Sequence, residues 1–486
     1  MEKGLTLNTT LPSQFKMSTL AVTCLMLSAC SSYYQMPTEL KQQELNSDAT
    51  PKSWSIGDQK SGGLISDGSF QELDNNQVRQ LVNRALSNNL QLQQQNYALK
   101  IKEQAVIASG SNLWPSLEAG LNTRRSKSLD PSSISNNFDA DITLRYELDL
   151  WQKLADSDKK NNLEYLAEQA SFEEAKQSLI ANVVLAWFDV IEANKLLALY
   201  SQRIENAKQN LSIIESGYQQ GLNGALDVYL ARNELHSEES RLALQQTTQS
   251  TAIRALERLM GEYPAALLEV NADIPTFESS LDIGIPSELI KKKPSLKASW
   301  YQLMAKDAGL AFAHKQRFPS FILSASTGDS ASRFSDLFSG SGLAWNLVGN
   351  LTAPLFEGGR LKANERSAEF QLQQAEKNYL DDIYSAFENV ENSLSAQRSL
   401  IVRYESTKQA MENAVAAEKL AFEQYQSGLV TYTTVLDAQS RAFDAQSSLI
   451  QIKKQRAANR IQLQLQLGTA FIEPNNNTST GDINND

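Results

Sequence analysis

The chain has 486 residues and a formal net charge of −11; 41% of it is hydrophobic and 21% charged, enough for sizeable cores and too apolar for a disordered tail. Two His and two Cys over that length leave almost nothing for a zinc site, a Cys/His dyad or a disulfide framework, so metalloenzymes and thiol enzymes are disfavoured and no cofactor is expected. Asp+Glu 56 against Lys+Arg 45 argues against a nucleic-acid partner, and no run approaches the about 18 apolar residues of a helical membrane span.

Lys3 and Lys16 precede a short apolar run, Leu20 to Leu27, which ends in small residues and reads as an export signal. Its end, Leu27-Ser28-Ala29-Cys30, resembles the bacterial lipobox, which implies a lipoprotein signal peptide over 1–29 and a lipid on Cys30. Ser31 and Ser32 follow, which in the lipoprotein sorting pattern implies the outer membrane. Residues 30–70 are polar and read as a lipidated linker; residues 469–486 read as a flexible tail.

Between these ends the chain runs through one plan twice, over 71–261 and 285–468, joined by an inter-repeat segment 262–284. Trp114-Pro115-Ser116-Leu117 recurs as Phe318-Pro319-Ser320-Phe321, and Tyr218-Gln219-Gln220-Gly221-Leu222 recurs as Tyr425-Gln426-Ser427-Gly428-Leu429, an offset of 207. Ala186 and Val190 match Ala386 and Val390 at an offset of 200, from which a gain of seven residues inside the second long helix is expected. Each copy reads helix, two strands, long helix, turn, helix. The first long helix, 152–219, carries Leu179, Val183, Ala186, Val190, Ala193 and Leu197 at alternating spacings of four and three, the seam of a coiled coil. It would reach ~100 Å at ~1.5 Å per residue. Its counterpart is 360–426; helices 226–260 and 432–467 follow the turns.

The strands are sharper. Residues 141–150 place Ile142, Leu144, Tyr146, Leu148 and Leu150 on one face and Asp141, Thr143, Arg145, Glu147 and Asp149 on the other. Residues 343–353 alternate likewise, and 116–124 and 320–327 read as their partners. Each has about the length of a tilted strand crossing a bilayer. Ser126 to Phe138 and Asp329 to Gly342 are rich in turn formers and read as solvent-facing hairpin loops. Four strands cannot close a membrane barrel, because open edges in hydrocarbon leave backbone groups unpaired, so a spanning chain must oligomerise.

The order of these elements resembles the outer-membrane factors of the TolC type, in the lipoprotein branch that includes OprM and NodT. Ala85-Leu86-Ser87-Asn88-Asn89-Leu90, Leu148-Asp149-Leu150-Trp151, Ala353-Pro354-Leu355-Phe356-Glu357-Gly358-Gly359-Arg360, and Tyr425-Gln426-Ser427-Gly428 leading to Val435-Leu436-Asp437-Ala438-Gln439 carry the resemblance. It implies a mainly α fold with a membrane β-barrel: two structural repeats, four transmembrane strands per chain, twelve in a homotrimer, continued by a long α-helical periplasmic barrel. It implies a passive export channel working with a periplasmic adaptor (membrane fusion protein) and an inner-membrane pump of RND, ABC or MFS type, seated in outer-membrane lipid.

By that resemblance Gly221, Leu222, Gly224, Gly428 and Leu429 would form turns that meet the adaptor, and Asp141, Arg145, Glu147 and Asp149 would line the barrel lumen. Asp437 falls where the family places an aperture aspartate; three such carboxylates at ~7 Å would repel by roughly 0.6 to 2.4 kcal/mol per pair. Asp227 and Tyr425 match positions that tie neighbouring helices in the closed periplasmic gate. The chain departs from the family pattern at Gln152, where Gly is usual, at Lys293-Pro294-Ser295 and at Thr434. The alternative is a periplasmic coiled-coil adaptor lipoprotein, which would need β-rich lipoyl-like and barrel domains. His236 and His314 lie in helical patterns without a nucleophile motif, and no enzyme is expected.

Overall fold

Two helical hairpins and one sheet account for most of the chain. The computed structural model describes residues 50–55, 75–129, 132–277, 283–339 and 342–469. The expected signal peptide, Cys30, most of the linker and the tail from residue 470 on lie outside the described residues.

Helices α1 (Asn76–Asn88) and α2 (Leu90–Ser111) open the first repeat. Each starts where an Asn accepts an orphan backbone N–H: Asn75 from Gln77 and Asn89 from Leu92. Strands β1 (Ser116–Leu129) and β2 (Ser132–Leu148) form a hairpin. Helix α3 (Lys153–Gln219) and α4 (Ala225–Leu259) form the first long hairpin. The second repeat repeats the order: α5 (Pro286–Lys292), α6 (Pro294–Lys315), β3 (Ser320–Ala331), β4 (Ala344–Thr352), α7 (Arg360–Gln426) and α8 (Tyr432–Gln466).

Both long helices have 67 residues and both return helices have 35, so the expected seven-residue insertion is absent. The error has a physical source: a heptad pattern superposes on itself after a slip of seven, so matches inside the seam cannot fix the alignment. The extra residues of the second copy lie instead between β4 and α7, in 353–359, against 149–152 in the first. At that junction Gln152 precedes α3 in the left-handed region at φ 60, and its counterpart Gly359 precedes α7 at φ 86. Gln152 bears a strain of roughly 1 kcal/mol that Gly359 avoids.

The strands pair antiparallel in the order β1-β2-β3-β4, with uninterrupted register across all three ladders. β1 and β2 run further than expected, consuming most of the predicted loop 126–138. Ladder hydrogen bonds join backbone groups, so the Ser- and Asn-rich stretch can continue the pairing despite its weak strand propensity.

Seam residues Val183 and Val190 of α3, with their neighbours Trp187 and Phe188, are buried in a core shared with α1, α4 and residue Val270. Each contributes on the order of 1.5–3 kcal/mol by leaving water. Tyr379, Ile383, Val390 and Leu463 form the matching core of the second repeat, and Trp54 enters it: its indole donates to the Gly284 carbonyl at 3.1 Å. Part of the expected linker is thus pinned. The inter-repeat chain is held by Glu257, whose buried carboxylate accepts the N–H groups of Ala266, Leu267 and Leu268 at 2.7–3.1 Å. Despite burial, those donors hold its carboxyl below the ordinary glutamate value.

Candidate functional site

The register sorts the sheet into two faces. One face carries the rows Leu117–Leu144–Ala325–Leu347, Ala119–Ile142–Thr327–Trp345 and Leu148–Phe321–Leu351. The other carries Ser116–Arg145–Ser324–Val348, Glu118–Thr143–Ser326–Asn346 and Gly120–Asp141–Gly328–Ala344. The apolar face is unburied: Leu117, Ile142, Trp345, Leu347 and Leu351 are all exposed. Soluble sheets cover such a face with a second layer, at about 25 cal/mol per Å². Among the described residues no helix makes an extensive contact with a strand. Strands β1 and β4 also leave free edges.

Asp141, Arg145 and Glu147 share the polar face as expected; Asp149 does not belong there. It lies beyond the end of β2, and its carboxylate accepts the N–H groups of Leu154 and Ala155 at 3.0 and 2.8 Å, capping α3. Glu147 is paired with Lys153 at 2.5 Å.

At ~100 Å from the sheet the long helices end in matched turns. Gly221 and Gly428 both sit at φ 73, and a Cβ there would meet nothing, so the left-handed backbone alone calls for glycine. The N–H of Leu222 reaches the Gly217 carbonyl and that of Leu429 reaches Gln424, closing the same six-to-one turn twice. Leu222 and Leu429 stand on the outside at 77% and 74% exposure, while Gly224 caps α4.

Behind the turns a small core of Ile214, Val228, Ala231, Tyr432 and Val435 joins the two hairpins. Tyr425 packs on Tyr432, ring centroids 5.4 Å apart. Burial first, and then the Asp227 carboxylate facing its hydroxyl, push the Tyr425 phenol above its ordinary value. Asp227 lies in the first turn of α4, where the helix dipole also favours its charge. Asp437 lies past the first turn of α8, exposed, and pairs with Arg441 at 2.9 Å.

Sequence reasoning missed a buried polar cluster higher in the hairpins. Arg203 of α3 pairs with Glu234 at 2.8 Å and with fully buried Glu238 at 3.0 Å, and its guanidinium stacks 4.5 Å above the Phe443 ring of α8. Burial, opposed by Arg203 and Arg241, raises the Glu238 carboxyl. No local pattern signals this set, because its members come from three helices. His314 packs edge-on against Phe318 and meets Glu365 at 2.5 Å; exposed His236 meets Glu239. Among the described residues no helix is long and apolar enough to cross a membrane and no acidic, His or Cys cluster could hold a metal.

A sheet with an exposed apolar face, carried on helices of ~100 Å, defines a protomer of a membrane conduit that joins β wall to α tunnel. The chain matches the family model described as outer membrane efflux protein over residues 81–262 and 285–469, one block per repeat, and belongs to that family. It is 28% identical over 404 residues to the probable outer membrane lipoprotein SilC of Salmonella typhimurium, covering 82% of this chain and 87% of SilC. It is 25% identical over 395 residues to the cation efflux system protein CusC of Escherichia coli strain K12, covering 81% and 86%. Among solved structures, a membrane protein from Pseudomonas aeruginosa superposes with a TM-score of 0.78 at 26% identity, covering 84% of this chain and 98% of that one. The Campylobacter jejuni CmeC outer membrane channel shares the fold, with a TM-score of 0.81 at 21% identity over 86% and 92%. The protein is an outer-membrane efflux channel component, and the family displaces the alternative of a coiled-coil adaptor.

Proposed function

We infer that three copies of this chain close a twelve-stranded barrel in the outer membrane, continued by twelve long helices into the periplasm as a passive conduit without a catalytic step. The observation that carries this is the sheet: one exposed apolar face, one polar face, and two free edges that a single copy cannot satisfy in hydrocarbon. Edge β1 of one copy pairs with β4 of the next, and Asp141, Arg145 and Glu147 face the lumen. The two repeats, 71–261 and 285–468, supply one hairpin of wall and one of tunnel each, and Cys30 anchors the chain by lipid.

Gly221, Leu222, Gly224, Gly428 and Leu429 form the tips that an adaptor grips, exposed leucines on stiff turns being suited to a helical-hairpin partner, with an inner-membrane pump beyond it. Asp437, Asp227 and Tyr425 form the periplasmic gate. The relatives' names span cation efflux and toluene efflux, so cargo selection rests with the pump rather than with this wall. The test is reconstitution: unheated samples should run as trimers by native mass spectrometry and open discrete conductances in planar bilayers. A strictly monomeric, non-conducting species would sink the reading.

A further inference from the structure

The apolar face of the sheet changes chemistry abruptly with height. From the row of Leu148 to the row of Phe138 it spans ten residue steps of β2, about 33 Å of strand and about 25 Å of height at a ~40° tilt, the thickness of an outer-membrane apolar band. The next two positions of β1 on that face are Arg125 and Lys127, opposite Asn136 and Ile134. The ladder has no bulge, so their parity is that of Leu117 and Leu121. Both are exposed, and neither joins an ion pair among the described residues. Of the carboxylates in the upper rows, Asp139 lies on the polar face, where Ser330 donates to it, while Asp329, which shares the apolar face with Ala140, is buried and accepts the Phe338 N–H.

The connection from β3 to β4 folds over the same apolar side. The Phe334 ring meets Phe138 edge-on, centroids 5.9 Å apart. The Asp329 carboxylate accepts the Phe338 N–H at 3.0 Å and holds that residue at φ 77, with its ring 75% exposed. Arg333 precedes Phe334; Asp336, bonded to Ser335, is the one carboxylate within 332–339.

We propose that Arg125, Lys127 and Arg333, with Phe334 and Phe338, form a collar that binds the phosphorylated glycolipid of the outer leaflet, of lipid A type. Guanidinium forks match phosphate oxygens, and rings belong at the boundary between acyl chains and headgroups. The collar stands where those phosphates lie, directly above the apolar band, and the nearby carboxylates are engaged inside the fold: Asp329 by the Phe338 N–H and Asp336 by Ser335. This assignment rests on the channel reading above, which sets which end of the sheet faces the exterior.

The experiment uses the full-length protein in detergent, with native mass spectrometry against bis-phosphorylated lipid A and the same lipid dephosphorylated. Conductance is recorded from the same preparations. The native protein should retain the phosphorylated lipid at least tenfold better; Arg125→Gln combined with Lys127→Gln and Arg333→Gln should erase that preference, and Arg124→Gln, on the lumen face, should keep it. Equal retention of the two lipids by the native protein, or an unchanged preference in the triple variant, overturns the collar. Displacement of the lipid by millimolar inorganic phosphate would reduce the site to a general anion patch and overturn it equally. Should the triple variant not fold, the two-lipid comparison on the native protein still decides. Conducting trimers without a lipid preference defeat the collar alone; the absence of conducting trimers defeats the channel reading first and the collar with it.

Discussion

Tyr425, in the last turn of α7, sets its buried hydroxyl against the charge of Asp227 in the first turn of α4, so a contact between the two repeats sits immediately behind both tips. Because the phenol's pKa is raised, the neutral form that suits this contact is intact below about pH 10 and is lost as pH climbs through the raised value. Asp227→Asn and Tyr425→Phe should each weaken the closed tip by about 1 kcal/mol, or roughly a fivefold gain in open population. Single-channel open probability between pH 7 and pH 11 checks both; identical traces from native and variant channels would remove the pair from the gate.

Asp437 offers an exposed carboxylate whose only ion-pair partner among the described residues is Arg441, one turn on along the same helix. Under threefold symmetry its replacement by Ala should raise conductance and reduce cation preference, whereas Arg441→Ala should deepen that preference. Reversal potentials in a salt gradient separate the two. No change in either variant leaves the aperture elsewhere.

Neighbouring residues Ile142 and Thr143 test the two faces directly, since they lie at one height on opposite sides of β2. Ile142→Arg should cost about 2–4 kcal/mol per chain at mid-bilayer and deplete the assembled outer-membrane trimer. Thr143→Arg should assemble normally and change ion selectivity. Equal yields of both variants would contradict the sidedness of the sheet.

Arg203 compensates a carboxylate that has no contact with solvent. Arg203→Met leaves Glu238 with Arg241 as its remaining ion-pair partner among the described residues and should cost about 1–3 kcal/mol, recovered in part by Glu238→Gln in the same chain. Glu238 already has a raised pKa, so its contribution is full below the ordinary glutamate value and falls as pH rises through the raised one. The single variant should therefore melt progressively earlier than the native protein between pH 5 and pH 8, as followed by circular dichroism. A pH-independent gap between the two melting curves argues that the loss is packing on Phe443 rather than charge.

The features read from sequence are those that depend on near neighbours. The two-residue alternation of 141–148 already stated which side chains share a face, and the ladder register carried that partition across four strands. Gly221 and Gly428 marked the tips because only glycine enters the left-handed region without penalty. Local pattern failed where two answers were locally equivalent. A heptad seam cannot report a slip of seven, and alternation cannot sense that β2 stops before Asp149 and that this carboxylate turns to cap α3. Tertiary structure alone decided the partnerships across distance: Trp54 with Gly284, Arg203 with Glu238 and Phe443, Tyr425 with Asp227. Those contacts join side chains whose sequence neighbours carry no trace of the partner, and their free energy exists only once the helices that bear them are packed.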